Sequence, residues 1–360
     1  VPSIAVVPGD GIGNEVVPAA VRVLEALAQA TGIELRFQRF DFGAERYLRT
    51  GEAVPADISA VVREMARTFD AIFFGAAGDD PRVPPEGTAR RFLMTLRKDL
   101  DLYVNLRPCR LLDARLTPLK GKTEKDIDFV VFRENTEGLY SGLGGVFKMG
   151  TTDEIYIREE LHTWKGVNRI LRYAFEYARR TGRTRVTVAE KSGEEGLWLR
   201  EMRNVARDFP DIEAENMHID TLAYQMVLRP ERFQVIVAEN MWGDILSDLA
   251  AALHGGRGLS PSLCLNPETG CYVEPVHGTA PDIFGQNIAN PFAAVLCGQL
   301  LLEYLGYSRE GQLLQQAVVK AIQVGKTTPD LGGACTTDQV TDFLCEAVRE
   351  LAAEARAVPT

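Results

Sequence analysis

The sequence has no apolar run that approaches the ~20 residues of a membrane-crossing helix, which excludes such a helix. It has no excess of basic charge either. Its 40 Lys and Arg stand against 50 Asp and Glu, a formal net charge of −10, so no general basic face is offered to nucleic-acid phosphates. A small anion held in a local basic pocket is compatible with that balance. None of the six cysteines (Cys109, Cys264, Cys271, Cys297, Cys335 and Cys345) stands in a CxxC pair, and most lie among apolar residues. Reduced, buried thiols in a cytoplasmic protein follow as the default. The alternative is a bridge between Cys264 and Cys271 across the turn Asn266-Pro267-Glu268-Thr269-Gly270. The opening Val1-Pro2-Ser3-Ile4-Ala5-Val6-Val7 lacks the basic start and cleavage site of a signal peptide and reads as a strand. Internal repeats and low-complexity stretches are also missing.

What is present is ordinary globular usage. The 360 residues, 46% hydrophobic and 25% charged, suffice for two domains or one large α/β unit. Strand-like and helix-like segments alternate along the chain. Strands are expected at residues 4–7 and 34–40, and buried strands at 71–74, 129–132, 186–189 and 235–237. Helices are expected over 16–30, 89–100, 161–180 and 196–208. Beyond Asn290 the chain reads as nearly all helix, interrupted at Gly306 and at Thr328-Pro329-Asp330. This alternation implies sheets covered by helices, an α/β fold.

Two glycine-containing segments carry chemical signals. Pro8-Gly9-Asp10-Gly11-Ile12-Gly13-Asn14 lies between a strand and a helix, where a dinucleotide fingerprint would lie. Its third glycine comes one residue early, so this is not a GxGxxG Rossmann domain. A tight turn that needs positive φ satisfies the same cluster. The second segment, Asn240-Met241-Trp242-Gly243-Asp244-Ile245-Leu246-Ser247-Asp248, opens a helix after the apolar run 233–237. Asp244 and Asp248 are i and i+4 and share a helical face. Like charges at that spacing destabilise a bare helix. Either a divalent cation sits between them or they form a solvated acidic first turn favoured by the helix dipole.

Read together, GDGIG (9–13), LRKDLDLYVNLRP (96–108), RENTEGLYSG (133–142), GDILSDLA (243–250) and EPVHGTAPDIFGQNIANP (274–291) resemble the β-decarboxylating dehydrogenases: isopropylmalate, isocitrate, homoisocitrate, tartrate and D-malate dehydrogenases. The resemblance runs in order from about residue 4 to about residue 345. Gly142-Leu143-Gly144-Gly145, Leu265-Asn266-Pro267-Glu268 and Asp282-Ile283-Phe284-Gly285 look most like the tartrate/D-malate branch.

The resemblance implies a two-domain fold. Residues 1–102 and 256–360 would form a large domain that carries both termini and the NAD adenosine loop, and residues 103–255 a small domain with the dimer contact and the metal and catalytic residues. An active-site cleft between the domains is expected. The implied substrate is a 2-hydroxy acid with a carboxylate on the adjacent carbon. Arg97, Arg107 and Arg133 match the arginines that grip its carboxylates, a task suited to guanidinium forks. Asp220, Asp244 and Asp248 match the ligands of Mg2+ or Mn2+; taken alone, Asp220 reads equally as a helix N-cap. Tyr140 and Lys191 match the catalytic pair, Lys191 helping to take the hydroxyl proton and Tyr140 protonating the enol carbon. Both Lys191 and Asp220 would serve the neighbouring subunit's site, so a homodimer with shared active sites is implied. His277, Gly278, Thr279, Ala280, Asp282 and Ile283 match the adenosine loop, with Asn290 at the adenine side and Ile12 also at the cofactor. Asp282 implies NAD, because a carboxylate there accepts ribose hydroxyls and repels a 2′-phosphate.

The chain departs from the family pattern in three places. Lys191-Ser192-Gly193 replaces the usual Lys-Ala-Asn or Lys-Ser-Asn, removing an amide that normally lies near nicotinamide and substrate. Met241-Trp242 stands where Leu-Phe is common. Arg90 and Arg91 occupy the substrate-selecting positions. Facing the pocket, they would favour an extra anionic arm, a third carboxylate or a phosphonate; facing solvent, they would leave tartrate or D-malate as the expected substrate. Isopropylmalate is a further alternative, and a non-catalytic regulatory subunit is the rival from another class. The survival of Tyr140, Lys191 and the three aspartates argues against that rival.

Overall fold

The computed structural model describes residues 1–191, 193 and 196–357. Ser192, Glu194 and Glu195, beside the expected catalytic lysine, lie outside the described residues. The chain divides into two compact units: Val1–Asp101, Leu112–Pro118 and His254–Thr360 form the first, and Leu102–Leu111 with Leu119–Leu253 the second.

The first unit begins β1 (Ser3–Gly9), α1 (Gly13–Thr31), β2 (Arg36–Arg39), α2 (Ala44–Thr50), α3 (Ile58–Thr68), β3 (Ala71–Ala76) and α4 (Arg90–Asp99). The second contains β4 (Val104–Arg110), β5 (Asp128–Glu134), β6 (Gly144–Phe147), β7 (Ile155–Arg158), α5 (Trp164–Arg180), β8 (Arg185–Glu190), α6 (Leu197–Ala206), β9 (Glu213–His218), α7 (Ile219–Leu228), β10 (Val235–Ala238) and α8 (Asn240–Leu253). The chain then returns to the first unit through β11 (Pro261–Asn266), β12 (Gly270–Pro275), α9 (Phe292–Tyr304), α10 (Ser308–Gln323) and α11 (Thr337–Ala357).

In the first unit the strand order is β2-β1-β3-β12-β11. The hairpin of β11 and β12 is antiparallel, and the remaining pairs are parallel. Every residue of β3, Ala-Ile-Phe-Phe-Gly-Ala, is buried, as expected of a parallel strand covered on both faces. α9 is buried almost all round and serves as the central helix, with α1 and α10 against it. The second unit has the order β4-β5-β10-β8-β9, antiparallel between β4 and β5 and parallel elsewhere. α5 buries Val167, Ile170, Leu171, Ala174, Phe175 and Ala178, one face at helical spacing, against this sheet. β6 and β7 form a separate antiparallel ribbon whose eight residues are exposed or half-buried.

Several expectations are refined. The helix expected from residue 161 starts at Trp164, because the Thr163 hydroxyl accepts from Gly166 N at 3.0 Å and caps it. The strand expected over 34–40 is a four-residue, largely exposed edge. The alternative Cys264–Cys271 bridge does not form. Cys264 lies opposite Tyr272 and Cys271 opposite Leu265, so the two thiols point to opposite faces of the sheet. Among the described residues no helix is long and apolar enough to cross a membrane.

Candidate active site

In the first unit the glycine segment after β1 is organised by Asp10. Its fully buried carboxylate accepts hydrogen bonds from Ala44 N (2.7 Å), Gly78 N (3.0 Å) and Ala89 N (2.8 Å). Burial pushes this carboxyl above the usual range, and the three amide donors oppose that shift. Asp10 thereby ties the end of β1 to the starts of α2 and α4. Gly43, at φ +130°, makes room for it, since a Cβ there would sit 2.5 Å from Asp10 Oδ1. Gly11, at φ +51°, admits the backbone of Thr279, whose carbonyl would lie 2.2 Å from a Cβ. Ile12 N donates to that same carbonyl at 2.9 Å. The glycines thus join two remote loops.

The 277–283 loop held in this way carries the expected cofactor residues. His277 Nδ1 lies 2.9 Å from the Gly278 carbonyl, and its buried Nε2 has no protein partner among the described residues. Burial holds this imidazole below its ordinary pKa, so it is neutral at pH 7. Thr279 is buried, with its hydroxyl on Asp79 O, while Gly278 and Asp282 are exposed. Ala280 has φ +42°, a left-handed conformation that is strained for a residue with a Cβ and typical of ligand loops. Ile283 N closes the turn on Ala280 O. Asn290 is engaged internally: its Nδ2 donates to Asp330 and its Oδ1 accepts from Phe292 N.

α4 separates the two selecting arginines. Arg90, Leu93 and Arg97 share a stripe at i, i+3 and i+7, about 110° round the helix from the buried Phe92 and Leu96. Arg91 lies about 100° round the helix. It donates to the Ala56 carbonyl at 3.0 Å, which ties it to the loop before α3. Arg97 already has partners, because Nε donates to the Tyr272 hydroxyl and Nη2 to Glu274 Oε1, both at 2.5 Å.

In the second unit the register of β4 on β5 sets Asn105 opposite Arg133 and places Asn105, Arg107 and Arg133 on one sheet face. α8 lies on that face. Gly243 permits the approach, since a Cβ there would stand 2.7 Å from Arg133 Cβ. Arg107 is fixed by Asn105 Oδ1 (3.0 Å) and Ser247 Oγ (2.6 Å), and Arg133 by Asn240 Oδ1 (2.9 Å). Both guanidiniums converge on Asp244 Oδ1, at 3.3 and 2.5 Å. The Asp244 side chain remains 42% exposed, with Asp248 one turn along.

The RENTEG motif builds the turn that presents Tyr140. Glu134 accepts from Thr136 N and Glu137 N, Asn135 donates to Leu102 O, and Glu137 accepts from Thr163 N at the start of α5. Tyr140 itself is 53% exposed, with Arg133 Cζ 5.7 Å from its ring centroid. Lys191 and Asp220 form an exposed ion pair at 2.6 Å, and this pairing holds the Asp220 carboxyl below the usual range. Asp220 follows Ile219 inside α7, and the N-cap position belongs to His218.

Among the described residues of one chain, no three His, Cys, Asp or Glu side chains converge as a metal cage. The carboxylates of Asp244, Asp248 and Asp220 are hard oxygen donors suited to Mg2+ or Mn2+, and one chain offers them as two from α8 and one paired with Lys191. Sequence reasoning missed Asp10, Asn105, Glu137, Asn240 and Ser247, which position the expected residues. Of these, only Asp10 between two glycines gave a local signal.

Residues 3–345 match the family model described as isocitrate/isopropylmalate dehydrogenase. The chain is 43% identical to a D-malate dehydrogenase [decarboxylating] of Escherichia coli over 357 residues, 96% of this chain and 98% of that one. It is 44% identical to a tartrate dehydrogenase/decarboxylase of Pseudomonas putida over 350 residues, 94% and 95% of the two chains. Its fold superposes on an isocitrate dehydrogenase structure from Methylococcus capsulatus with a TM-score of 0.84 at 35% identity, covering 97% of this chain and all of that one. Site geometry, long ordered motifs and these similarities agree: the chain belongs to the isocitrate/isopropylmalate dehydrogenase family of enzymes.

Proposed function

We propose that this enzyme oxidises and decarboxylates a malate-type 2-hydroxy-3-carboxy acid, using NAD and a divalent cation. The observation that carries this reading is the convergence of Arg107 and Arg133 on the half-exposed Asp244, beside Tyr140. Two fixed guanidiniums bind and orient carboxylates. Asp244 and Asp248, with a partner subunit supplying Asp220, would hold Mg2+ or Mn2+. NAD, when bound, would supply the hydride acceptor for C2, and the cation would supply Lewis-acid polarisation of the substrate's hydroxyl. The partner subunit's Lys191, paired there with Asp220, would help take the hydroxyl proton, directly or through water; the C3 carboxylate leaves as CO2, and Tyr140 returns a proton to the enol carbon. The neutral, buried His277 Nε2 supports adenosine binding, and the exposed Asp282 favours NAD over its phosphorylated form.

Exposed Phe147, Met149, Ile155 and Tyr156, on or beside the β6–β7 ribbon, support that ribbon as the intersubunit arm of a homodimer. Within the substrate class, Arg90 is the residue favoured to meet an anionic arm, because Arg91 is engaged with the Ala56 carbonyl. The names of the two curated relatives favour a second reading, in which D-malate or tartrate is the substrate and Arg90 stays in solvent. The test measures NADH and CO2 with Mn2+ over D-malate, tartrate, isopropylmalate, isocitrate, homoisocitrate and a phosphonate-armed malate. Turnover confined to triply anionic acids assigns Arg90 to the pocket. Turnover of D-malate or tartrate assigns the second reading, and silence across the panel with NAD still bound removes the proposal.

A further inference from the structure

Tyr140 is more than half exposed and sits in a short turn, Leu139–Ser141, between Gly138 at φ +79° and Gly142 at φ +83°. Packing does not fix such a side chain, and the flanking glycines give its backbone wide freedom. The structure nevertheless closes the turn. Gly138 N donates to Leu161 O at 2.8 Å, Glu159 N donates to Leu143 O at 3.0 Å, and Gly144 pairs with Arg158 in the β6–β7 ribbon. Across this closed loop reaches the side chain of Arg158. Its Nη2 donates to the Leu139 carbonyl at 3.1 Å, and its Cζ lies 5.9 Å from the Tyr140 ring centroid. Arg133, held by Asn240 and Asp244, stands 5.7 Å from the same ring. Two guanidiniums therefore stand near the Tyr140 ring, Arg133 held by Asn240 and Asp244 and Arg158 from the ribbon.

We propose that Arg158 is a positioning residue for Tyr140: it fixes both the turn and the ring, so that the phenol meets the enol carbon. This rests on the reading of Tyr140 as the proton donor. In that step the phenol O–H bond breaks and a C3–H bond forms, after the C3–CO2 bond has broken and its electron pair has become the enol. By microscopic reversibility the same residue catalyses exchange of C3 hydrogens of the 2-oxo acid product with solvent deuterium. That exchange isolates the proton step from hydride transfer.

The experiment compares Arg158→Ala, Arg158→Lys and Tyr140→Phe in the holoenzyme, with the substrate it turns over. Readouts are deuterium exchange into product, the pre-steady-state NADH burst, kcat, KM and circular dichroism. Misplacement of a reacting group by about 1 Å costs up to about a hundredfold, so Arg158→Ala should slow exchange and kcat by roughly tenfold or more. Its burst and KM should stay within about twofold, as for loss of an interaction made only in the transition state. Arg158→Lys, which keeps the cation without the fork, should restore part of the exchange. Wild-type exchange in Arg158→Ala, with Tyr140→Phe inactive in exchange, overturns the proposal alone. A raised KM with unchanged kcat also overturns it, by making Arg158 a substrate contact. Unimpaired exchange in Tyr140→Phe overturns the role of Tyr140, and the positioning role with it. If Arg158→Ala loses its native circular dichroism, Arg158→Lys decides: exchange below wild type with an intact burst supports positioning, and wild-type exchange overturns it.

Discussion

Two aspartates that each follow a glycine, Asp10 and Asp244, show how differently one side chain is used in the two units. Asp10 has no exposed surface and is met by three backbone amides from residues 34, 68 and 79 positions away. Asp244 keeps 42% of its side chain exposed and is met by two guanidiniums. Backbone donors cannot leave, so Asp10 fixes loops. Side-chain cations on an open carboxylate can exchange it for a substrate anion or share it with a metal ion. The carboxylate satisfied by amides serves architecture, while the one met by arginines and left half open suits the proposed chemistry.

The strongest way to break this contrast is Asp244→Asn. As a proposed metal ligand, its loss should exceed the ~10–100-fold cost of removing outer partners of a metal site. Activity should therefore fall by at least about a hundredfold, with the unfolding midpoint little changed, in paired assays of turnover and denaturant unfolding. Asp10→Asn should do the reverse. Charge-assisted bonds contribute roughly 1.5–3 kcal/mol each and are not additive, so a loss of about 3 kcal/mol is expected in denaturant titration. Activity per folded molecule should stay near wild type; a drop in kcat without destabilisation would refute the architectural role.

Buried titratable groups should likewise set the pH dependence of stability. His254 is buried, its Nε2 lies 3.1 Å from Ser260 Oγ, and its Nδ1 has no partner among the described residues. Burial lowers its pKa from 6.5 to about 4. The unfolded chain therefore binds more protons between those values, and stability falls as pH drops from about 6.5 towards 4. His254→Gln should flatten that part of the profile, measured as unfolding midpoint against pH. The smallest effects separate the two arginines of α4. Arg91→Ser should cost no more than about 1 kcal/mol of stability and leave substrate preference alone. Arg90→Ser should leave stability alone and, if triply anionic acids are the substrates, shift the ratio of their kcat/KM to that of D-malate.

How much of this was legible depended on the range of the interactions. Asp244 and Asp248 were readable because their relation is local, one helical turn. The buried strands β3 and β10 were readable because parallel strands are continuous apolar runs. β9, Glu213-Ala214-Glu215-Asn216-Met217-His218, carries no such signal, because it is a polar edge strand completed only by pairing with β8. The glycines flanking Asp10 were visible, but its role was not, since its three donors come from distant loops. Arg97 was matched to the substrate arginines only through the resemblance, and only the fold shows Tyr272 and Glu274 beside it.

The division of the chain has a consequence for biosynthesis. The second unit is complete once residue 253 has been made, whereas β1 and β3 of the first still lack β12, α9 and α11, made at the end. During vectorial synthesis the middle of the chain can therefore mature first, while the opening hundred residues wait with an apolar strand edge exposed at β3. Aggregation during expression should originate from that waiting segment, and slower elongation after residue 253 should worsen it.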